Sequence, residues 1–292
     1  MVRFSIVIPV YNNLPGIVRC LDSLCRQSYP ASSFEVVVVD NNSSPPLVLT
    51  ENYPFSCRVV WCGKPGAYAA RNAGAAEARF EWLVFTDADC VADEQWLENA
   101  SRAIGCHGDS AFLGGEVLYL PVEKTTPVSL YQSAIGFQQQ ENIQWKHFSA
   151  TANLFCRRSQ FDHVGPFDEE LLSGGDRLWC WQAKSEGYQL HFCDKAVIYT
   201  EPRTDLVAAM IQARRVAGGR YILRKKMKEN NVISEQHVMP HRGLLAAIGW
   251  LMSYPFHSKL DRAKVLVAAV MIRLAQMTET LLIKLGKKPE RR

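Results

Sequence analysis

An apolar run that ends in two closely spaced carboxylates constrains the fold of this chain more than any other stretch. Residues 83–90 read LVFTDADC, so Asp87 and Asp89 follow the run two positions apart. A strand buried in a parallel sheet has such a run, and ligands of open α/β sheets bind at the carboxyl ends of the strands. Two carboxylates there suit Mg²⁺ or Mn²⁺, with phosphate oxygens completing the coordination. A simple polar turn is the alternative, because Asp is common in turns.

The composition limits the class of protein. The 292 residues are 48% hydrophobic and 21% charged, which favours one large α/β domain with an appendage. The nine cysteines are odd in number and form no Cys-x-x-Cys pair. Because no signal-peptide pattern opens the sequence, these features favour reduced thiols and a cytoplasmic protein over a disulfide framework.

The charge is divided unevenly along the chain. Residues 1–202 carry a net charge of −8, and residues 203–292 carry a net charge of +12. An acidic body with a basic tail indicates an anionic partner for the tail, which leaves a membrane surface, nucleic acid or a phosphorylated acceptor open.

The first 90 residues alternate between strand and helix patterns. β-Branched or apolar runs predict strands at 4–11, 34–40, 58–62 and 82–86, and helical spacing or Ala-rich composition predicts helices at 16–28 and 67–79. Strands alternating with helices every 20–30 residues indicate βαβ units and a mostly parallel sheet.

Polar groups follow several of the predicted strands. Tyr11 follows the first strand and Asp40 ends the second, so both should lie at the same sheet edge as Asp87. Asp40 at this place suits a base N–H or a ribose hydroxyl, or it closes an ordinary Asx turn. Arg71 lies in the helix after Gly66, whose unpaired amides suit a pyrophosphate; an ordinary solvated arginine is the alternative.

Several common sites are excluded by the sequence. Residues 9–16 contain one glycine where a dinucleotide-binding fingerprint needs three. No Walker loop, Gly-x-Ser-x-Gly elbow or His-Glu-x-x-His motif occurs, and the histidines are scattered.

Four motifs together resemble those of the inverting family 2 glycosyltransferases, in the same order and spacing. They are SIVIPVYN at 5–12, VVVD at 37–40, GAYAARNAG at 66–74 and TDAD at 86–89. The resemblance, over about residues 4–220, implies an α/β protein with the GT-A (Rossmann-like) fold, a mostly parallel sheet flanked by helices and a C-terminal helical appendage. We expect a catalytic domain at 1–220, with a nucleotide-sugar-binding half at 1–110 and an acceptor half at 111–220, followed by a basic, amphipathic helical region at 221–292.

The same resemblance implies roles for the polar residues at the strand ends. Pro9, Tyr11 and Asp40 would hold the nucleoside of the donor, and Arg71 would lie near its diphosphate. Asp87 and Asp89 would bind the ribose and a Mn²⁺ or Mg²⁺ ion on the diphosphate.

The stretch SGGDRLWCW at 173–181 resembles the acceptor half of the family. A Glu-Asp pair at a helix start supplies the base there; here Gly175 replaces the Glu, so Asp176 is the candidate base. A plain helix N-cap is the alternative for Asp176. Trp179 and Trp181 suit sugar stacking, and two tryptophans on a short helix are as often core residues.

Two further departures from the family pattern bear on the reaction. Thr200 aligns with a His that serves the metal, so Glu201 or water replaces that His, or metal use differs. Val216 stands where the Gln-x-x-Arg-Trp motif of processive synthases has Trp, which favours the addition of a single sugar.

The C-terminal region combines basic and apolar segments. Residues 214–228 include seven Lys or Arg, and the apolar run at 243–256 is shorter than the roughly 20 residues needed to span a bilayer. Residues 262–285 are apolar apart from a polar stripe at helical spacing that includes Arg273 and Lys284. The pattern predicts peripheral contact of 243–285 with an anionic membrane; a helical hairpin packed on the catalytic domain or on a second subunit is the alternative.

These features predict a metal-dependent, inverting glycosyltransferase. It would move a single sugar from a nucleotide-sugar donor, with UDP favoured, to a hydroxyl of a glycan or lipid-linked acceptor in surface polysaccharide biosynthesis. We expect a cytoplasmic protein, at the cytoplasmic face of the inner membrane if the tail binds lipid, no nucleic-acid partner, and leave a homo-oligomer open. The alternatives are a non-catalytic, membrane-associated binding protein of the same fold and a nucleotidyltransferase.

Overall fold

One mixed sheet organises the computed structural model of the chain, which describes residues 1–122, 125–229, 249, 251, 253–254, 256 and 258–289. Within these residues eight strands lie in the order β3-β2-β1-β4-β7-β6-β8-β5. The strands are β1 (Phe4–Val10), β2 (Phe34–Asp40), β3 (Ser56–Trp61), β4 (Trp82–Phe85), β5 (Cys90–Ala92), β6 (Ala111–Tyr119), β7 (Leu154–Arg157) and β8 (Gln189–Thr200).

Helices connect the strands and form the C-terminal part. In the described chain they are α1 (Leu14–Cys25), α2 (Ala67–Glu77), α3 (Trp96–Cys106), α4 (Pro127–Ile135), α5 (Gln139–Lys146), α6 (Arg158–Val164), α7 (Gly175–Ser185), α8 (Leu206–Glu229) and α9 (Lys259–Lys284). The predicted α/β fold with a C-terminal helical appendage is therefore confirmed. The predicted apolar run at 243–256 lies mostly outside the described residues.

The strands β3, β2, β1 and β4 are parallel, and their register aligns the carboxyl ends where polar residues follow. Val10 lies opposite Asp40, and Val7 lies opposite Phe85, directly before the acidic loop. The other half of the sheet differs from this pattern, because β7 runs antiparallel to β4 and β6, and β5 runs antiparallel to β8. The parallel arrangement thus covers the half that carries the predicted donor residues.

The core of the parallel half is built from the continuous apolar runs of β1 and β2, in which almost every side chain is buried. Helix α2 packs closely on these strands at Gly74. A Cβ atom at Gly74 would lie 2.4 Å from Cγ1 of Val7 and 2.8 Å from Cγ2 of Val39. The glycine therefore sets the distance between α2 and the sheet, and with it the position of the side chains on α2.

A buried carboxylate lies at the opposite, amino-terminal edge of the same strands. Glu35 is 1% exposed; it accepts hydrogen bonds from Ser5 Oγ, Arg58 Nη1 and the Arg79 N–H, each at 2.6 Å. Burial alone would raise the pKa of Glu35, but these donors outweigh it and hold the pKa below its ordinary value. Glu35 thus ties β2 to β1, β3 and the segment that leads into β4.

The chain forms two compact units. The first contains residues 1–118, 138–170 and 175–200, and the second contains residues 119–137, 171–174 and 201–292. In the second unit, α4, α8 and α9 share a small apolar cluster made by Val128, Ala209, Ala213, Ala268 and Ile272. Because α8 runs through residue 220, the functional boundary proposed at that position stays a prediction.

Candidate active site

The loop between β4 and β5 carries three potential metal ligands. One ligand atom each from Asp87, Asp89 and Cys90 lies within 4.8 Å of the others. Asp89 is exposed, Asp87 is partly exposed and Cys90 is buried. The two carboxylates that the sequence singles out are therefore close together at the end of a buried strand.

The donor set of this cluster fits a hard divalent cation. Burial, followed by the negative charges of Asp87 and Asp89, raises the pKa of the Cys90 thiol well above its ordinary value. The thiol therefore stays neutral, and a neutral thiol is a poor metal ligand. This leaves two carboxylates as protein donors, which suits Mn²⁺ or Mg²⁺ with oxygen atoms of a bound diphosphate as further ligands.

Arg71 on α2 connects directly to the acidic loop. Its guanidinium is 5% exposed, and its Nη2 forms an ion pair with Oδ1 of Asp87. Within the described chain its Nε has no hydrogen-bond partner, and neither has the buried Oγ1 of Thr86. Buried polar atoms without partners are uncommon, and they mark places where a ligand or water completes the structure. Thr86 was not among the predicted site residues, although its place between the strand and Asp87 is a signal for it.

Asp40 lies at the end of β2, where the sequence places it, and is 3% exposed. Its Oδ1 accepts from the Ser43 N–H at 2.9 Å, and its Oδ2 accepts from the Leu47 N–H at 3.0 Å. Burial would raise the pKa of Asp40, but these donors outweigh it and lower the pKa. The carboxylate thus closes the loop after β2, as the Asx-turn alternative requires. It still has lone pairs for a ligand, so the donor role stays a prediction.

The predicted nucleoside residues on β1 lie beside the same loop. Pro9 is opposite Val39 in the β1–β2 register, and Tyr11, directly after the strand, is 42% exposed. Asn12 joins the loops that follow the two strands. Its N–H donates to Ser43 Oγ at 2.9 Å, and its Oδ1 accepts from the Ser44 N–H at 2.8 Å.

Asn41 is a positioning residue that the sequence did not single out. Its Oδ1 accepts from the Gly66 N–H at 2.8 Å, and its Nδ2 donates to the carbonyl of Lys64 at 2.7 Å. Asn41 is 5% exposed, so these bonds are shielded from water. They hold the start of α2 next to the end of β2; the only signal in the sequence is the polar run after Asp40.

Asp176 lies in the first turn of α7, and its carboxylate contacts α2. Its Oδ1 accepts from the Tyr68 hydroxyl at 3.2 Å and from the Arg177 N–H at 2.8 Å. The Tyr68 hydroxyl in turn accepts from the Gly175 N–H at 2.9 Å. Tyr68 was not predicted as a site residue, because the Ala-rich helix pattern shows only that position 68 is helical.

Tyr68 and Arg71 together connect Asp176 to the acidic loop. The guanidinium carbon of Arg71 lies 5.5 Å from the ring centroid of Tyr68, and the same guanidinium pairs with Asp87. Contacts therefore run without a break from the candidate base to the candidate metal ligand, within the first unit of the chain.

The glycine that replaces the expected Glu has a steric explanation. A Cβ atom at Gly175 would lie 2.7 Å from Cε2 of Tyr68, closer than such atoms approach in folded proteins. Tyr68 is only 7% exposed and is held by packing, so it cannot move aside cheaply. With Tyr68 in this place, position 175 has no room for a side chain.

The two tryptophans of α7 have different environments. Trp179 is 1% exposed, its Nε1 donates to the Gly165 carbonyl at 2.9 Å, and its ring packs among Phe112, Phe161 and Phe167. Because no face of its ring is accessible, it is the core residue that the sequence left as the alternative to sugar stacking. Trp181 is only partly buried; its Nε1 donates to the Lys146 carbonyl at 2.9 Å.

Thr200 lies next to the acidic loop. It pairs with Cys90 in the β5–β8 ladder, so the backbone at position 200 is beside the segment that carries Asp89. The position expected for a metal-associated His is thus close to the predicted metal ligands. Thr200 itself is 8% exposed, and Glu201 belongs to the second unit of the chain.

An α/β sheet with an acidic loop at the carboxyl end of a central strand defines the class of protein, and solved structures place the fold among the GT-A glycosyltransferases. A mannosyltransferase from Pyrobaculum calidifontis in complex with GDP-Man and Mn²⁺ superposes with a TM-score of 0.63, at 18% identity over 97% of this chain and 88% of that one. TarS from S. aureus in complex with UDP-GlcNAc superposes with a TM-score of 0.52, at 20% identity over 98% and 92% of the two chains.

The chain belongs to glycosyl transferase family 2, whose family model matches residues 5–164. It is 34% identical over 198 residues to glycosyltransferase AglE of Haloferax volcanii, which covers 66% of this chain and 65% of the relative. It is 30% identical over 212 residues to a pre-mycofactocin glycosyltransferase of Mycobacterium tuberculosis, which covers 69% of this chain and 43% of the relative. The matches thus span less than two thirds of the length of each of these relatives.

Proposed function

We propose that the chain is an inverting glycosyltransferase that moves a single sugar from a nucleotide-sugar donor to an acceptor hydroxyl. The observation that carries this proposal is the unbroken set of contacts from Asp87 through Arg71 and Tyr68 to Asp176. It joins an acidic loop suited to a metal diphosphate to a carboxylate suited to take a proton. Val216, in place of the Trp of processive synthases, supports the addition of one sugar only.

In this proposal Asp176 is the general base. Its carboxylate takes the proton of the acceptor hydroxyl while that oxygen attacks the anomeric carbon of the donor sugar, and the nucleoside diphosphate leaves from the opposite face. Tyr68 and the Arg177 N–H orient the carboxylate through their hydrogen bonds to Oδ1. Arg71 holds Asp87 in place and adds positive charge beside the departing diphosphate.

The donor site in this proposal lies at the ends of β1, β2 and β4. Pro9, Tyr11 and Asp40 hold the nucleoside, and Asp87 and Asp89 hold a Mn²⁺ or Mg²⁺ ion, which supplies positive charge to the diphosphate when bound. A nucleotide-sugar donor is supported by the TarS structures with UDP-GlcNAc and UDP and by the mannosyltransferase structure with GDP-Man and Mn²⁺. We keep UDP as the favoured base.

The acceptor is proposed to be a hydroxyl of a glycan or of a lipid-linked sugar, with the partly exposed Trp181 as a stacking face. Surface polysaccharide biosynthesis is supported by the similarity to TarS, a poly(ribitol-phosphate) β-N-acetylglucosaminyltransferase, at 26% identity over 215 residues. A cytoplasmic location, the absence of a nucleic-acid partner and a homo-oligomer stay predictions.

A donor panel combined with one isosteric variant tests the proposal. Thermal shifts with UDP-, GDP- and dTDP-sugars in Mn²⁺ identify the donor, and transfer or hydrolysis of that donor is then measured for the wild type and Asp176→Asn. We expect the variant to keep the donor-induced shift and to lose about 10²–10⁴-fold in turnover. Asp162→Asn, on the exposed surface of α6, is the matched control and should retain full turnover.

Two outcomes would contradict the proposal. Near-normal turnover in Asp176→Asn would remove Asp176 as the base. A wild-type protein that binds a nucleotide sugar but neither transfers nor hydrolyses any donor would favour the non-catalytic binding protein.

A further inference from the structure

Helix α9 in the second unit has two apolar faces, and one of them is buried. Ala268 and Ile272 pack with Val128 on α4 and with Ala209 and Ala213 on α8. This face anchors the helix to the rest of the unit.

The other apolar face of α9 is exposed along its whole length. Its large side chains recur every three or four residues, which places them on one stripe of the helix. They are Leu260 (63% exposed), Val267 (60%), Val270 (53%), Met271 (39%), Leu274 (54%), Met277 (58%), Leu281 (57%) and Leu285 (76%). The stripe is about 37 Å long. Soluble proteins rarely expose a contiguous apolar surface of this extent unless it binds something.

The charged groups around this stripe have one sign. Between residues 258 and 289, where the structure describes the chain without a gap, the exposed charged side chains are all basic; they are Lys259, Lys264, Arg273, Lys284, Lys287 and Lys288. The two acidic residues are withdrawn. Asp261 is bonded to Ser258 at the helix start, and Glu279 is 1% exposed and accepts from Lys287 Nζ at 2.9 Å.

A groove of about 500 Å³ opens at one edge of the stripe. Its walls include Val128 on α4, Leu206 at the start of α8, and Val267 and Met271 on α9, with Lys264 as the one charged residue in its lining. An apolar groove beside a cation matches an acyl chain next to an anionic headgroup.

We propose that the second unit docks on an anionic lipid surface, with α9 lying in the plane of the interface. The exposed stripe enters the acyl boundary, and the basic residues beside it contact the headgroups. Burial of the apolar stripe and attraction to anionic lipid add together in this arrangement. The proposal concerns the second unit alone and does not depend on the transfer chemistry of the first.

Two other occupants of this face fit the observations less well. By length and composition α9 is also apolar enough to cross a membrane, with a mean hydropathy of 1.6 over 18 residues. A spanning helix would place Arg273 near the centre of the bilayer, which is costly, and would pull the other face away from α4 and α8. A second copy of the chain would bring the same basic residues against each other, and like charges across an interface are unfavourable.

Vesicle co-sedimentation of the full chain tests the proposal. We expect binding to mixed phosphatidylcholine–phosphatidylglycerol vesicles, little binding to phosphatidylcholine alone, and loss of binding as salt is raised. Leu274→Glu should lower binding by about tenfold or more, because it removes buried apolar area and adds a negative charge. Val59→Glu, at an exposed position on β3, is the matched control and should bind as the wild type does.

The basic residues are tested by neutral substitution. Arg273→Gln with Lys284→Gln should lower binding by about 25-fold, as about fivefold per residue, whereas Lys195→Gln on β8 should have no effect. Equal binding to both kinds of vesicle, or absence of binding to either, would overturn the proposal. So would resistance to alkaline carbonate extraction, which marks a spanning helix, or a solution dimer that Leu274→Glu dissociates. Wild-type salt and lipid dependence decides the question even if a variant misfolds.

Discussion

The hydroxyl of Tyr68 donates a hydrogen bond to Oδ1 of Asp176 over 3.2 Å, from one helix of the first unit to the start of another. Burial, together with the negative charge of Asp176, raises the pKa of Tyr68 above its ordinary value. The hydroxyl therefore keeps its proton throughout the pH range in which enzymes of this kind work. It remains a donor to the carboxylate and fixes which oxygen is left for an acceptor.

Tyr68→Phe keeps the ring and removes only this hydrogen bond. We expect kcat to fall by about tenfold, because a hydrogen bond to a charged group is worth about 1.5–3 kcal/mol, while the KM for the donor stays the same. Steady-state kinetics at saturating acceptor measure the effect. Tyr188→Phe, which removes the hydroxyl that faces His163 at 3.4 Å, is the control. An unchanged kcat in Tyr68→Phe would show that the bond does not position the base.

Gly175 and Tyr68 should be coupled in stability. Gly175→Ala forces a Cβ against the Tyr68 ring and should cost about 1–3 kcal/mol in the free energy of unfolding. In a Tyr68→Leu background the same change should cost less, and the difference is the coupling energy. Urea unfolding of the four proteins measures this cycle.

A second glycine serves as the control for this cycle. Gly105 on α3 has nothing within 4 Å of an added Cβ, so Gly105→Ala should stabilise the protein by up to about 1 kcal/mol. Additive effects of the changes at 175 and 68 would contradict the steric explanation for the missing Glu.

Metal dependence is expected from the donor set of the acidic loop. Chelation with EDTA should stop transfer, and Mn²⁺ or Mg²⁺ should restore it. Asp89→Asn should weaken Mn²⁺ binding by about a hundredfold, because it removes one of two anionic ligands. Titration of Mn²⁺ in the presence of UDP measures the binding directly, and Asp194→Asn, at an exposed position on β8, is the control. Full activity in chelator would remove the metal from the proposal.

Glu35 should make stability depend on pH. Its pKa in the folded state is depressed, so its contribution is present above the ordinary pKa of a Glu side chain and is lost as the pH falls through the lower, folded-state pKa. Glu35→Gln should cost about 3 kcal/mol at neutral pH, since Arg58 loses its buried partner, and less in acid. Chemical unfolding between neutral and acidic pH measures both proteins. Glu94→Gln, which is exposed, should differ little from the wild type at any pH.

The parts of the fold that were predicted correctly are those in which local pattern and burial agree. The runs that became β1, β2 and β4 are buried on both faces, so they are continuously apolar, and each ends where a polar residue reaches the surface. The acidic pair could be singled out for the same reason. Strand and helix bounds in this half agree with the sequence to within a few residues.

Other features depend on contacts between distant segments, which leave no local signal. The antiparallel half of the sheet follows from where β7 pairs with β4, and nothing within residues 154–157 specifies that partner. Trp179 and Trp181 are alike in sequence, yet only the first faces the aromatic core. The bond from Tyr68 to Asp176 joins positions 108 residues apart, so a helical pattern at 67–79 has no information about it.

The mutual exclusion of a side chain at 175 and the ring at 68 has a consequence for the history of the family. A lineage cannot exchange Gly for Glu before the helix unless the tyrosine has first been replaced by something smaller. Descendants that carry the Glu-Asp pair should therefore have inherited a smaller residue at the tyrosine position. The two sites should have changed together along the same branches of the phylogeny, even though more than a hundred residues separate them in the chain.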